Sequence, residues 1–124
     1  MRAGLLLAAA AATLLVVSGG ALNAKPRAHA ASPGAALYTN CAACHGREGK
    51  GGFGPPLAGS ARLAETGYLI GHVLDGSLNM PAFRGQLTPG EIAAVLTHVR
   101  RWGKKLPPVT AAQVVAVQQK ERRP

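Results

Sequence analysis

Residues 41–52, CAACHGREGKGG, contain both cysteines of this 124-residue chain, and His45 directly follows the second of them. Side chains three and four positions apart lie on the same face of a helix. If this stretch is helical, Cys41 and Cys44 therefore present two thiols to one neighbouring group, with an imidazole beside them. The fold and function of the chain depend on which group uses this arrangement.

Three kinds of chemistry use such a pattern. A dithiol redox centre places C-x-x-C where a helix follows a strand, but no strand-like alternation precedes Cys41. A zinc site needs a fourth ligand, and the remaining candidates, His72 and His98, stand at no recognisable ligand spacing. The third is covalent haem, for which C-x-x-C-H is the attachment signature. Two thiols one turn apart can form thioethers with the two vinyl groups of a porphyrin, while His45 binds the iron, and we favour this interpretation.

An iron bound by His45 needs a sixth ligand, and Met80 is the only methionine besides the initiator. Thioether sulfur is a soft ligand, and Met/His ligation raises the potential of a c-type haem. Pro81 disfavours helical backbone at Met80, and the preceding DGSLN indicates a loop. No helix face therefore accounts for Met80 as a core residue, and we predict that it is the distal ligand.

The composition also indicates a bound group in the interior. Hydrophobic residues make up 48% of the chain, but many of them fall in the first thirty positions. Only five aromatic residues are present: Tyr38, Phe53, Tyr68, Phe83 and Trp102. A domain this small commonly requires a disulfide, a metal or a cofactor for stability.

The N-terminal segment, residues 1–30, predicts a signal peptide. Arg2 precedes an apolar run, and Ala28-His29-Ala30 offers a small-x-small cleavage site. The alternative is an uncleaved membrane anchor over residues 4–24, since about twenty apolar residues can span a bilayer. Lys25 and Arg27 on the far side of this run argue against the anchor. We predict a signal peptide, a domain over 31–106 and a tail over 107–124.

The chain is basic, with 14 Lys and Arg against 5 Asp and Glu, a formal net charge of +9. We expect no nucleic acid partner, because the export signal and the lack of a binding motif argue against one. Four basic residues fall near the end of one predicted helix: Arg100, Arg101, Lys104 and Lys105. We predict that this basic cluster assists docking to protein partners.

Four helices and no strands are predicted, so the fold class is all-α. The first covers about 33–44 with Ser32 as N-cap, and the second about 67–75. Thr88 and Glu91 form a capping-box signature before a third helix ending at Trp102. Thr110 repeats the signature before a short tail helix, whose apolar face is formed by Ala111, Val114 and Val117.

These motifs together resemble the class I bacterial c-type cytochromes over about residues 32–103. The matching pieces are GAALYTNCAACHG, GPPLAGS, MPAF and LTPGEIAAVLTHVRRWG. The resemblance implies a class I cytochrome c fold, in which Cys41 and Cys44 anchor haem c and His45 and Met80 are its axial ligands. It also implies that the carbonyl of Pro55 accepts the Nδ1 proton of the ligating histidine.

The resemblance implies a one-electron carrier, because an iron with both axial positions filled has no site for substrate. The export signal predicts that this carrier works in the periplasm. The segment WGKKLPPVTAAQVVAVQQ is also similar to tails of cytochrome subunits of periplasmic dehydrogenases and terminal oxidases. Such enzymes are therefore the expected partners, with the chain either a mobile carrier or a fixed subunit. A haem enzyme or gas sensor, in which Met80 dissociates, is the remaining alternative.

Overall fold

The computed structural model describes residues 32–123, which form four α-helices and one short 3-10 helix with no strand among them. The helices, in chain order, are α1 (Pro33–His45), the 3-10 helix (Ala61–Ala64), α2 (Thr66–Asp75), α3 (Pro89–Arg100) and α4 (Ala111–Glu121). The predicted all-α fold is confirmed, and the 3-10 helix was not predicted. The predicted signal peptide or anchor lies outside the described residues. No helix in the described part is long and apolar enough to span a membrane.

Three helices begin at the predicted caps. Ser32 accepts a hydrogen bond from the backbone in the first turn of α1. Capping boxes start α3 and α4, pairing Thr88 with Glu91 and Thr110 with Gln113. Each box satisfies two backbone N–H groups that have no partner within the helix. These local bonds explain why the helix starts could be predicted from short motifs.

Helix α1 crosses α3 at very close range. A Cβ atom added to Gly34 would lie 2.1 Å from the carbonyl oxygen of Ala94, so only glycine fits at this crossing. One turn further, the buried ring of Tyr38 packs against His98 and Trp102, with centroids 5.2 and 5.0 Å away. These contacts fix α1, and with it the cysteines and histidine of its last turn, against the centre of the fold.

The hydrophobic core is formed by all four helices and the segment before α4. Helix α3 buries the apolar residues that recur along it at helical spacing: Ile92, Val95, Leu96 and Val99. Helix α2 contributes Leu69, Ile70 and Leu74. In the tail, Val109 and Val114 are buried, Val117 is half-buried and Ala111 is exposed, contrary to the predicted face of this helix. Helix α4 therefore packs onto α2 and α3 along one face, which consists of the buried Val114 and the half-buried Val117.

The position of Arg100 corrects one expectation. Its side chain is only 4% exposed, so it does not belong to a docking surface. Arg100 donates hydrogen bonds to the carbonyl oxygens of Leu63, Ala64 and Pro107 at 2.8, 3.2 and 2.9 Å, and to the hydroxyl of Thr66 at 2.9 Å. The guanidinium thus ties the 3-10 helix and the segment before α4 to α3. The other members of the predicted basic cluster are exposed: Arg101, Lys104 and Lys105.

Candidate functional site

The last turn of α1 presents Cys41, Cys44 and His45 to one cleft. Both thiols are free and half-buried, and the helix ends at Gly46, whose positive φ of 77° turns the chain away. Burial raises the pKa of the Cys41 thiol, and its neighbour Cys44 raises it further. Before haem attachment Cys41 is therefore a neutral thiol in an apolar setting.

The imidazole of His45 is oriented by the chain that follows it. Its Nδ1 lies 2.8 Å from the carbonyl oxygen of Pro55, and the residue is only 9% exposed. A carbonyl only accepts hydrogen bonds, so Nδ1 carries the proton and donates it. The Nε2 atom is then left with a free lone pair that can bind a metal. Gly54 makes room for this ring, since a Cβ there would lie 3.2 Å from Nδ1.

Hydrogen bonds hold the glycine-rich segment 46–59 against the end of α1. The N–H groups of Gly51 and Gly54 donate to the carbonyl oxygens of His45 and Cys44, at 2.9 and 2.8 Å. The buried Tyr38 hydroxyl donates to the carbonyl oxygen of Gly46 at 2.7 Å. Burial, more than the nearby Cys41, raises the pKa of this phenol, which therefore stays protonated as a donor. The proximal wall of the cleft is thus rigidly built from backbone contacts.

Met80 lies in a loop after α2, as predicted. The backbone N–H groups of Ser77 and Met80 donate to each other's carbonyl oxygens at 3.0 and 3.1 Å, which closes a tight turn. Gly76 has a positive φ of 69°, and a Cβ there would lie 2.3 Å from the carbonyl oxygen of Met80. The loop therefore packs directly on the end of α2, and its methionine lines the cleft.

The cleft consists of two adjoining cavities of about 350 and 300 Å³. Six residues line both cavities: Cys41, His45, Pro55, His72, Met80 and Phe83. His45 and Met80 thus both border the two halves. Each half has the volume of a typical small-molecule site. A flat group that occupies both halves and passes between these two side chains fits this arrangement.

The chemistry of the walls also suits haem. Most lining residues are apolar, and Arg62 is the only Arg or Lys lining either of these two cavities. Its guanidinium lies 4.5 Å above the ring of Tyr68. Haem is apolar except for two carboxylates, so a single cation at one end of an apolar cleft matches it. Phe53 and Leu78 line the other half and are largely exposed, which leaves an apolar rim open to solvent.

The two remaining histidines differ in position. His72 lines both cavities and stacks on Tyr68, with ring centroids 5.3 Å apart. His98 lines neither, and burial followed by the charge of Arg101 lowers its pKa. Neither Arg62 nor His72 was predicted from the sequence as a cleft residue. For His72 a signal existed, because it follows the buried Leu69 by three positions on α2.

The described residues contain no group of three His, Cys, Asp or Glu side chains arranged to hold a metal ion, as a zinc site would require. Comparison with known proteins agrees with the haem interpretation. Residues 29–99 match the family described as "Cytochrome C oxidase, cbb3-type, subunit III". Two proteins named cytochrome c-552, both from Thermus thermophilus, are each 36% identical to the chain, over 119 and 115 residues. The matches cover 77% and 73% of this chain and 80% and 88% of those proteins.

The chain therefore belongs to the c-type cytochrome family, and the resemblance to the class I cytochromes is confirmed. Its cofactor is a covalently bound haem c, and it is an electron-transfer protein and not an enzyme. Proteins of this family typically work outside the cytoplasm and exchange electrons with other redox proteins.

Proposed function

We propose that the chain carries single electrons at a haem attached to Cys41 and Cys44, with His45 and Met80 as axial ligands. The observation that carries this proposal is that His45 and Met80 both border the two halves of one cleft that both cysteines also line. The bound haem supplies an iron that cycles between the ferrous and ferric states. The protein supplies the ligands, the orientation and the exclusion of water.

The bond from His45 to Pro55 supports the proximal assignment. It fixes the tautomer that frees Nε2, and it holds the ring in one orientation. Donation to a carbonyl also makes the imidazole a stronger ligand. The proximal side is therefore organised before any metal binds.

The distal assignment explains why electron transfer and not catalysis takes place. Together, His45 and Met80 would leave the iron no open position for a substrate, and neither would need to leave when the iron changes its oxidation state. The tight turn from Ser77 to Met80 supports this, since it restricts the movement of the methionine. The exposed rim at Phe53 and Leu78 marks the side on which electrons enter and leave.

We further propose that the protein works in the periplasm. This rests on the sequence of residues 1–30, either as a signal peptide or as an anchor over 4–24. We propose that a domain over 31–106 and a tail over 107–124 follow this segment. The partners are then a periplasmic dehydrogenase or a terminal oxidase, and the family description, which names an oxidase subunit, supports the second. The exposed residues Arg101, Lys104 and Lys105 are suited to steer such encounters.

The replacement Met80→Ala tests the ligand set. The variant should still attach haem, because the residues of α1 are unchanged. It should lose the near-infrared sulfur-to-iron band, bind carbon monoxide in the ferrous state and fall in reduction potential. Met80→His should remain low-spin at a lower potential, since imidazole stabilises ferric iron better than thioether does.

Leu78→Ala is the matched control, since Leu78 is in the same loop and exposed. It should keep the near-infrared band. A Met80→Ala protein with the wild-type band and potential would disprove the assignment, and His72 would then be the first alternative. Wild-type protein that binds carbon monoxide readily would favour a gas sensor or haem enzyme over a carrier.

A further inference from the structure

We propose that Arg84 is a positioning residue for the distal ligand, and that it acts by joining the methionine loop (residues 76–84) to α2 and to the C-terminal helix α4. This inference rests on the proposed role of Met80 as the distal ligand. It assigns to α4, at the far end of the chain, a part in keeping that ligand on the iron.

Arg84 stands at the exit of the methionine loop, where three segments meet. Its Nε and Nη2 atoms donate to the Oδ1 atom of Asp75 at 2.9 and 2.6 Å, and Nη2 also donates to the carboxylate of Glu121. Asp75 is the last residue of α2, and Glu121 is the last residue of α4. One guanidinium, with its side chain 33% exposed, therefore bridges two carboxylates that lie far apart in the sequence.

The loop is held at both of its ends. At its entry, the N–H of Gly76 donates to the carbonyl oxygen of His72 at 2.9 Å. At its exit, the N–H groups of Phe83 and Arg84 donate to carbonyl oxygens of α2 at 3.0 and 3.1 Å. Met80 leaves the cleft more easily when the loop can move away from α2. The ion pairs of Arg84 oppose this movement at the exit, since they add side-chain bonds to the backbone bonds.

The charges of Arg84, Asp75 and Glu121 predict which variants should loosen the methionine loop most. Without Arg84, the carboxylates of Asp75 and Glu121 face each other, and Asp75 also sits at the unfavourable C-terminal end of the α2 dipole. Loss of Glu121 alone leaves Arg84 paired with Asp75. Arg84→Gln should therefore loosen the loop more than Glu121→Gln does. Adding Glu121→Gln to Arg84→Gln should partly restore the loop, because it removes the repulsion.

The experiment measures how fast excess imidazole binds to the ferric holoprotein, at concentrations where departure of Met80 limits the rate. Exposed ion pairs are modest in strength, so we expect rates about two- to fivefold faster for Arg84→Gln and less than twofold faster for Glu121→Gln. The double variant should fall between these two. Salt should reduce all the differences, because it screens exposed charges.

Two controls separate this role from general effects. Glu48→Gln removes another exposed ion pair, with Lys50, away from the loop, and should leave the rate unchanged. Ile92→Val lowers the stability of the core at a residue of α3, whereas the side-chain partners of Arg84 are on α2 and α4, and its rate should stay near wild type. An equal acceleration in Ile92→Val, or wild-type rates in both Arg84→Gln and the double variant, would overturn the inference. Wild-type protein without a near-infrared sulfur band would instead disprove the ligation by Met80 on which it rests.

Discussion

Gly34 on α1 faces Ala94 on α3 so closely that an added Cβ would lie 2.1 Å from the Ala94 carbonyl oxygen. This is well inside van der Waals contact, and the clash is with backbone, which cannot rotate away. The crossing positions α1, whose last turn carries both cysteines and His45. The geometry of the site therefore depends on a glycine outside it.

Gly34→Ala should destabilise the holoprotein by about 1–3 kcal/mol, because the two helices must move apart. Gly90→Ala is the control within α3, since no atom lies within 4 Å of the added Cβ. That variant should be neutral or more stable by up to about 1 kcal/mol, as alanine favours the helix. Guanidinium unfolding followed by circular dichroism measures both. Equal effects of the two substitutions would show that the α1–α3 contact is not tight.

Arg100→Met should lower the free energy of unfolding by about 2–4 kcal/mol. It leaves the carbonyl oxygens of Leu63 and Pro107 without their buried donor, and bonds to a charged group are stronger than neutral ones. Arg101→Met, at an exposed neighbouring position, should change stability by no more than about 0.5 kcal/mol. Thermal unfolding of both variants checks this difference. A small loss of unfolding free energy in Arg100→Met would mean that water replaces the lost donor.

The fold was largely predictable from the sequence because its signals are local. The capping boxes at Thr88 and Thr110, and the spacing of Ile92, Val95 and Val99, involve residues within two turns of each other. The role of Arg100 was not predictable in this way. Its position near a helix end fits both an exposed cation and a buried one, and its acceptors Leu63 and Ala64 lie more than thirty positions earlier.

In the candidate site, too, the features that depend on neighbouring residues were predictable, and those that depend on residues distant in the sequence were not. Cys44 and His45 follow Cys41 by three and four positions, so the face they share with it follows from helix geometry. Pro55 was assigned only through the resemblance, since nothing in the spacing shows which carbonyl meets His45. Arg62 enters the cleft because the 3-10 helix turns it there, and that helix was not predicted.

Replacing both Cys41 and Cys44 with alanine should release the haem from the polypeptide in acid acetone after denaturation. Each single variant should retain the haem through one thioether. The cofactor occupies much of the cleft, so the double variant without haem should lack cooperative unfolding. Absorbance of the extracted phase and of the protein measures attachment. Haem that stays with the double variant would disprove attachment at these thiols.

Stability should fall below neutral pH in a way that depends on His98. Burial and the nearby Arg101, whose Nη1 lies 3.4 Å from Nδ1, lower the pKa of His98 in the folded state. Tyr38 and Trp102, the other partners of the ring, are uncharged. As the pH falls through about 6.5, the unfolded chain binds the proton first. The folded state is therefore favoured fully above this pH and progressively less below it.

His98→Gln should remove this part of the pH dependence. The difference in unfolding free energy between wild type and variant should be constant above about pH 7.5 and should shift in favour of the variant toward pH 5.5. Contributions from all other groups are common to both proteins and cancel in the comparison. A difference that does not change with pH would show that His98 titrates normally.

Arg62→Gln should lower the reduction potential of the haem. Arg62 is the only Arg or Lys lining the described cleft, and two contacts position it: the carboxylate of Glu65 at 3.3 Å and the ring of Tyr68. A cation beside the haem carboxylates offsets their negative charge, which otherwise favours ferric iron. The guanidinium is partly exposed, so we expect a fall of only about 10–40 mV, measured by spectroelectrochemistry.

Arg62→Lys should recover most of the potential, because it keeps the charge but loses the planar group that stacks on Tyr68. Lys105→Gln removes a cation that is exposed and does not line the cleft, and should shift the potential much less. All variants should keep the near-infrared sulfur band, which shows that the ligands are unchanged. If Arg62→Gln and Lys105→Gln shift the potential equally, the effect is one of net charge, and the haem carboxylates do not lie beside Arg62.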